Sequence, residues 1–376
     1  MGKRKGGRQY AADVAVYAPL AGRLYESIPG PAGGAEVQTA YLAQSLAGLG
    51  FRVVHIVSGT DAVPHRNGVR VVQLPRSYGN RGLPRRRAIL ASLRDADAAV
   101  YIQRSAGFET GTVGLFAQAT GRRFVFSSSS KGDLLLDRRL SRQSSTSLDE
   151  WPTRLQYLIG LYLANAVVVQ THEQCVLAEQ RRGVDPRVIR SFCAPVRTLG
   201  KNREAFLWIG GLLDLKEPLA YVELARRVPE VTFWMIGGDR GPRWAELAAR
   251  VRAIANEVPN LYLLPRLGRK DVLSLYHRAV AVVNTSWVEG FPNTFLEGWA
   301  RGRPALSLRV DPDGVIERNA LGAVAHGSLD KMEAATRELW HARDSIDPAP
   351  LQRYVARFHD PNMIGTEWAA LIQELQ

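Results

Sequence analysis

Two carboxylates eight residues apart, Glu289 and Glu297, bracket a stretch whose other residues are suited to binding an anion. The stretch reads Thr285-Ser286-Trp287-Val288-Glu289-Gly290-Phe291-Pro292-Asn293-Thr294-Phe295-Leu296-Glu297. An apolar run from Ala279 to Asn284 precedes it and predicts a buried parallel strand, while Phe295 and Trp299, four apart, predict a helix over Asn293 to Arg301. Between the two, Gly290 permits a turn or a close approach, Pro292 presets a helix-compatible φ, and Asn293 is a good cap. The first amides of that helix would face the space beyond the strand end, a place where anions bind. A carboxylate in the loop, Glu289, is suited to accept hydrogen bonds from sugar hydroxyls, and one on the helix, Glu297, from a ribose diol.

A cation stands in a comparable place earlier in the chain. Gly210-Gly211-Leu212-Leu213-Asp214-Leu215-Lys216 follows another apolar run, which puts Lys216 just past a strand end. A third glycine-rich entry, Gly33-Gly34, opens a helix after the first strand and could bring backbone amides up to a phosphate. Taken together these features describe a nucleotide-diphosphate sugar. Each also has a plain reading: Lys216 as a surface lysine before Pro218, Glu297 as an i, i+4 partner of Arg301, Glu289 as a loop residue, and the paired glycines as a turn without a ligand. Two further candidates, Arg104 and Asp133, follow strand ends in the first half; they are assigned to the acceptor side, Asp133 within a loop of four serines.

A chain of 376 residues with 46% hydrophobic content suits two domains of roughly 150 to 200 residues. Apolar runs at Asp13 to Ala18, Arg52 to Val57, Val69 to Leu74, Ala98 to Gln103, Phe124 to Ser127 and Ala166 to Gln170 predict one set of strands. Those at Ala205 to Ile209, Val231 to Ile236, Asn260 to Leu264, Ala279 to Asn284 and Arg303 to Leu308 predict a second. Helical spacing lies between them, and nearly all-apolar strands belong to parallel sheets covered on both faces. The class is therefore α/β, with two doubly wound Rossmann-like domains facing a central cleft at the carboxyl ends of their strands. The expected division is a basic tail over 1–12, a first domain over 13–198 that binds the acceptor, a second over 199–358 that binds the donor, and a terminal helix over 359–376 packing back on the first domain. Pro195 to Arg203 reads as the linker, and Arg138 to Glu150 as a mobile surface loop.

The net charge of +13 favours polyanions: phosphate-bearing substrates, an anionic membrane face or nucleic acid. Arginines cluster at Arg81, Arg85, Arg86, Arg87 and Arg94, at Arg138, Arg139 and Arg142, and at Arg181, Arg182, Arg187 and Arg190, all before residue 200. They lack aromatic interleaving, which makes nucleic acid the less favoured partner. No run approaches the roughly 18 apolar residues a membrane span needs. Two cysteines without metal-type or disulfide spacing fit a reducing compartment, so the cytoplasm is expected, with the inner face of a membrane as the alternative site.

The residues from Glu289 to Glu297 resemble the glutamate, seven residues, glutamate motif of family 4 retaining glycosyltransferases, which have the GT-B fold. Gly33-Gly34-Ala35-Glu36, the loop through Lys216, the strand end Met235-Ile236-Gly237-Gly238 and Pro304 are similar as well, most strongly over Ala205 to Gly314. The resemblance implies a hexose transferred from a UDP- or GDP-type donor to a sugar or lipid-linked acceptor in surface polysaccharide or glycolipid synthesis, without metal or cofactor. It implies that Glu289 contacts the donor sugar, that Gly290, Phe291, Pro292, Asn293 and Thr294 contact sugar and diphosphate, that Glu297 holds the ribose, that Lys216 contacts the diphosphate, and that Gly33 and Gly34 approach the phosphate. One departure stands out: the family has an arginine where this chain has Gly211. Either Arg266 or Arg309 supplies the missing charge, or donor affinity is reduced, or the protein has another role, such as nucleic-acid binding or regulation on the same scaffold. A sugar epimerase or phosphorylase of the same fold is the remaining alternative.

Overall fold

The computed structural model describes residues 10–26, 33–59, 64–75, 82–135, 150–197, 200, 202–239, 241–265 and 267–376. The chain divides into two compact units: residues 1–127, 150–168 and 365–376 form the first, and 128–149 with 169–364 the second. The described strands form two sheets. Residues 1–9 of the expected basic tail, residues 138–149 of the expected mobile loop, and Arg81 and Arg266 lie outside the described residues.

The first sheet contains β1 (Ala12–Tyr17), β2 (Val53–Val57), β3 (His65–Arg66), β4 (Val69–Gln73), β5 (Ala98–Arg104), β6 (Arg123–Ser127), β7 (Ala166–Val169) and β8 (Pro186–Val188), in the order β3-β4-β2-β1-β5-β6-β7-β8. The pairings from β4 through β7 are parallel, and the short β3 pairs antiparallel with β4. The strand order reverses between β1 and β5, the switch point at which open sheets of this kind leave a crevice. Val14, Ala15, Val16 and Val100 are fully buried, as strands covered on both faces must be. The helices over Phe108–Ala119 and Trp151–Tyr162 cross closely at glycines: a methyl on Gly160 would lie 2.3 Å from the Thr110 carbonyl oxygen. His55 is buried in β2 with Nδ1 2.7 Å from the Tyr25 hydroxyl, and burial pushes its imidazole down to about 3.

The second sheet contains β9 (Ala205–Gly211), β10 (Phe233–Gly238), β11 (Leu261–Leu264), β12 (Ala279–Asn284), β13 (Ala305–Ser307) and β14 (Gly322–Val324). Its order, β11-β10-β9-β12-β13-β14, is that of a dinucleotide-binding sheet, all parallel, with the switch point between β9 and β12. Phe206, Trp208, Tyr221 and Phe233 stack beneath β9, and the Tyr221 hydroxyl lies within hydrogen-bond distance of the Phe206 and Trp234 carbonyls, so a large aromatic is buried with its polar tip satisfied.

The strands at β1, β2, β4 to β7 and β9 to β13 fall where the apolar runs predict them, within a few residues. Three strands have no such run: β3, β8 and β14 are two or three residues long and carry charge, proline or glycine. Pro292, extended at ψ 118°, is the capping residue and Asn293 the first residue of the helix; there is no side-chain cap, because a proline ring has no acceptor to offer. The units also meet along the chain at 127–128 and 168–169, upstream of the 195–203 stretch. The segments 128–135 and 169–197 pack with the second unit for visible reasons. Asp313 accepts hydrogen bonds from the amides of His172 and Glu173, both at 2.9 Å, and the Cys193 amide donates to the His359 carbonyl at 2.9 Å.

Candidate active site

The carboxyl ends of β9 and β12, adjacent across the switch point, present the loops that carry Lys216 and Glu289. Past β9 the chain makes a single 3-10 turn, Asp214–Lys216, and past β12 it runs directly into the glutamate loop. Backbone and hydroxyl bonds sew these loops to each other. Trp208 Nε1 donates to Thr285 Oγ1 at 3.0 Å, the same hydroxyl donates to the Lys216 carbonyl at 2.7 Å, and the Trp287 amide donates to the Leu215 carbonyl at 2.9 Å. Lys216 and Glu289, 73 residues apart in sequence, are thereby brought into an ion pair through Oε1.

Glu289 Oε1 has two more donors, the Ser286 hydroxyl at 2.7 Å and the Asn284 amide at 3.3 Å. All three converge on one oxygen. Among the described residues nothing donates to Oε2, and 15% of the side chain's surface stays exposed, so a carboxylate oxygen with fixed orientation retains the capacity to accept from a ligand hydroxyl. The position is also fixed from behind. A methyl on Gly290 would lie 2.5 Å from the Ser129 carbonyl oxygen and 3.0 and 3.1 Å from the amide nitrogens of Gln170 and Gln174, and the Lys131 amide donates to the Glu289 carbonyl at 3.3 Å. Gly290 is therefore required for close approach to another segment of backbone.

Phe291 turns its ring into a buried aromatic group with Trp299, Tyr354 and His359, its centroid 5.0 Å from the imidazole, and so offers only its backbone to a ligand. Pro292 is buried, and Asn293 and Thr294 are the half-buried first residues of the helix Asn293–Trp299. Glu297, one turn on, is paired with Arg269 Nη2 at 2.8 Å. Arg301 reaches only its backbone carbonyl, at 3.0 Å, so the i, i+4 ion pair that spacing alone suggests is not the one formed. Tyr276 lies against the same carboxylate; burial and then Glu297 hold its hydroxyl far above the ordinary phenol range. Burial, reinforced by Glu297, also pushes the Cys193 thiol up to about 12. The sequence marks neither Arg269 nor Tyr276 as partners of Glu297, since both come from a separate helix, Arg269–Arg278.

Gly211 closes β9 and is buried. Of the two arginines considered for its missing charge, Arg266 is outside the described residues, while Arg309 is paired with Glu217 and lies 4.0 Å from the Trp287 ring. In the first unit, Gly33 caps the helix Gly34–Gly48, and the Glu36 carboxylate folds back so that a methyl on Gly33 would lie 2.4 Å from its Oε2. Arg104 ends β5 and donates from Nη1 to Ser127 Oγ at 3.1 Å. Asp133 is buried, and its Oδ2 accepts from the amides of Ser129 and Ser130 at 2.7 and 3.2 Å and lies 3.1 and 3.3 Å from the Ser129 and Ser128 hydroxyls. That carboxylate organises the serine loop. Among the described residues no cluster of His, Cys, Asp or Glu could hold a metal ion, and no helix is long and apolar enough to cross a membrane.

Residues 205–342, the segment holding Lys216, Glu289 and Glu297, match the sequence family described as group 1 glycosyl transferases. The whole chain superposes on a sucrose-phosphate synthase from Thermosynechococcus elongatus with a TM-score of 0.76 at 14% identity, covering 97% of this chain and 99% of that one. The chain has the GT-B fold. Two other solved GT-B structures are similar over nearly the full length. HepE from Anabaena, in complex with UDP and glucose, gives a TM-score of 0.73 at 14% identity over 97% of this chain and 100% of the other. A lipopolysaccharide outer core galactosyltransferase, WaaB, gives 0.64 at 14% identity over 96% and 99%. No curated protein matches the chain by sequence.

Proposed function

We propose that the protein is a glycosyltransferase that moves a hexose from a nucleotide-diphosphate donor to an acceptor hydroxyl with retention at the anomeric carbon. The observation that carries this reading is the Lys216–Glu289 pair at the β9/β12 switch point, with Glu289 Oε1 held by three donors and Oε2 by none among the described residues. Oε2 would receive a hydroxyl of the donor sugar. Lys216 and the helix-start backbone at Asn293 and Thr294 would face the diphosphate, and Glu297 the ribose. As the bond from the anomeric carbon to the diphosphate oxygen breaks, negative charge grows on that oxygen, and a fixed ammonium and amides stabilise it most at the transition state. The acceptor oxygen then bonds to the anomeric carbon on the same face and its proton passes to the departing phosphate, giving glycoside and nucleoside diphosphate. These groups supply the charge neutralisation, so no metal is required in this scheme.

HepE has been captured with UDP and with UDP-glucose, which supports a UDP-hexose as the first donor to test. WaaB acts on lipopolysaccharide outer core, which supports a saccharide or lipid-linked acceptor. A site at an anionic membrane face is favoured by one further observation: Trp151, Leu155 and Tyr162, on one side of the helix Trp151–Tyr162, are 67%, 41% and 88% exposed in a chain of net charge +13.

The decisive experiment is a thermal-shift screen of UDP, GDP, ADP and their sugars followed by product analysis. A ligand that binds only the folded state raises its stability, and one nucleotide and its sugar should do so. No shift with any of them, together with a steep salt-dependent shift on DNA, would replace this reading with the nucleic-acid one; hydrolysis-free conversion of donor alone would indicate an epimerase. Sedimentation with anionic and neutral vesicles tests the membrane site, and equal binding to both removes it.

A further inference from the structure

Glu217 directly follows Lys216 and has φ 43° and ψ 57°, in the left-handed region that glycine enters freely and a glutamate does not. The turn requires it. Pro218 comes next, and a proline ring disfavours a right-handed helical conformation in the residue before it, so the 3-10 turn Asp214–Lys216 cannot simply continue into the helix Pro218–Arg227. A strained residue persists only where its surroundings over-determine it. Here the Glu217 carboxylate is paired with the Arg309 guanidinium, whose face lies 4.0 Å from the centroid of Trp287. Trp287 is two residues before Glu289, and its amide is bonded to the Leu215 carbonyl beside Lys216.

The five side chains thus close a ring. Lys216 and Glu289 meet on one side, and Glu217, Arg309 and Trp287 join the same two loops on the other. We propose that Arg309 is a positioning residue: it holds Glu217 in its left-handed conformation and Trp287 in place, and so sets the separation and orientation of Lys216 and Glu289. Its charge is matched by Glu217 and its face is taken by Trp287, so Arg309 is not a substitute for the cation that Gly211 lacks. The inference rests on the proposed glycosyl transfer for its kinetic consequence, but its structural consequence stands apart from it.

The test is a cycle of Arg309→Ala, Glu217→Gly and the double variant, with Arg309→Lys beside them. Turnover of the UDP-hexose found by screening, affinity for UDP and the thermal midpoint are measured on each. Arg309→Ala should lower kcat about tenfold to a hundredfold, as a small misplacement of catalytic groups does, while UDP affinity stays within about threefold. Arg309→Lys should recover little, because an ammonium cannot offer both a planar face to Trp287 and a fork to Glu217. Glycine at 217 needs no brace, so the share of the Arg309→Ala loss that comes through Glu217 should disappear, and Arg309→Ala should cost clearly less in kcat and in thermal midpoint in the Glu217→Gly background than in the native protein. If Arg309→Ala instead weakens UDP binding tenfold or more and glycine at 217 restores nothing, Arg309 binds phosphate and the positioning role is overturned. Wild-type turnover from Arg309→Ala overturns it as well. If the native protein turns over no donor, the proposed function fails, and the thermal midpoints of the same four proteins still decide the brace: additive losses sink it, suppression by glycine upholds it.

Discussion

The two sheets have equivalent switch points and equip them differently. At the first, between β1 and β5, the helix start at Gly33–Gly34 is covered by Glu36, three residues along the same helix, and Arg104 is engaged by the neighbouring strand end. At the second, between β9 and β12, Lys216 and Glu289 reach each other from loops 73 residues apart and are held by serine, threonine, asparagine and backbone groups. A local carboxylate over a helix start is a contact that a few torsions can undo. A pair assembled across the fold keeps its geometry only while both loops keep theirs, which is the pre-organisation that electrostatic catalysis needs. Under the proposed function the chemistry would be done at the second switch point, while the first would be one that a ligand opens.

That contrast can be broken most sharply at Glu289. Glu289→Ala should lower kcat by about a hundredfold to a thousandfold, the usual cost of removing one transition-state contact, and leave UDP affinity largely intact. Unchanged turnover would remove the second switch point from the mechanism. Acid compares the units as wholes, since each buries a neutral histidine: His55 is held at about 3 and His359 at about 4, both by burial, against an ordinary 6.5. Both folded values are depressed, so the unfolded chain binds the extra protons, and stability should be complete above pH 6.5 and fall as the pH drops below it. At pH 5 each contributes a loss of about 2 kcal/mol, seen as a lower urea midpoint, and below about pH 4 only the unit with His55 should keep losing stability through its histidine.

Smaller effects sharpen the comparison. Gly290→Ala forces a methyl to within 2.5 Å of the Ser129 carbonyl and should cost about 1 to 3 kcal/mol in chemical denaturation, with turnover reduced because Glu289 is displaced. At the first switch point, Glu36→Gln should cost only about 0.3 to 1 kcal/mol through the lost interaction of its charge with the helix start, and transfer should persist. A loss of activity as large as that of Glu289→Ala would make the two switch points equals.

What the sequence discloses follows from how local each feature is. Strand β12 and the helices over His172–Arg182, Pro218–Arg227 and Ala349–Phe358 coincide with their apolar patterns, because burial of a contiguous run is a local property. Lys216 and Glu289 are legible as candidates because strand ends in a parallel sheet gather at one edge. Their direct pairing is not, and neither is the diversion of Glu297 to Arg269, since a side chain cannot announce which of many arginines will be beside it. Asp133 shows the same limit: four serines look like a slack loop until a buried carboxylate is found at their centre. The left-handed Glu217 is the most opaque of all, because Lys-Glu-Pro carries no sign that the middle residue is strained.

The last stretch of the chain has a consequence for how the protein is made. Residues 365–376 belong to the first unit, with Trp368, Leu371 and Ile372 buried, Gly365 so close to Ser45 that a methyl would lie 1.9 Å from its hydroxyl, and Arg123 bonded to the Leu375 carbonyl at 3.0 Å. The ribosome delivers the strands of the first sheet early and this helix only after the second unit has been synthesised. At about 5 to 20 residues per second the wait from residue 168 to residue 365 is about 10 to 40 s, during which the seat of the helix stays bare. The unit that begins the chain is thus finished after the one that follows it, and its apolar seat is exposed to solvent until then.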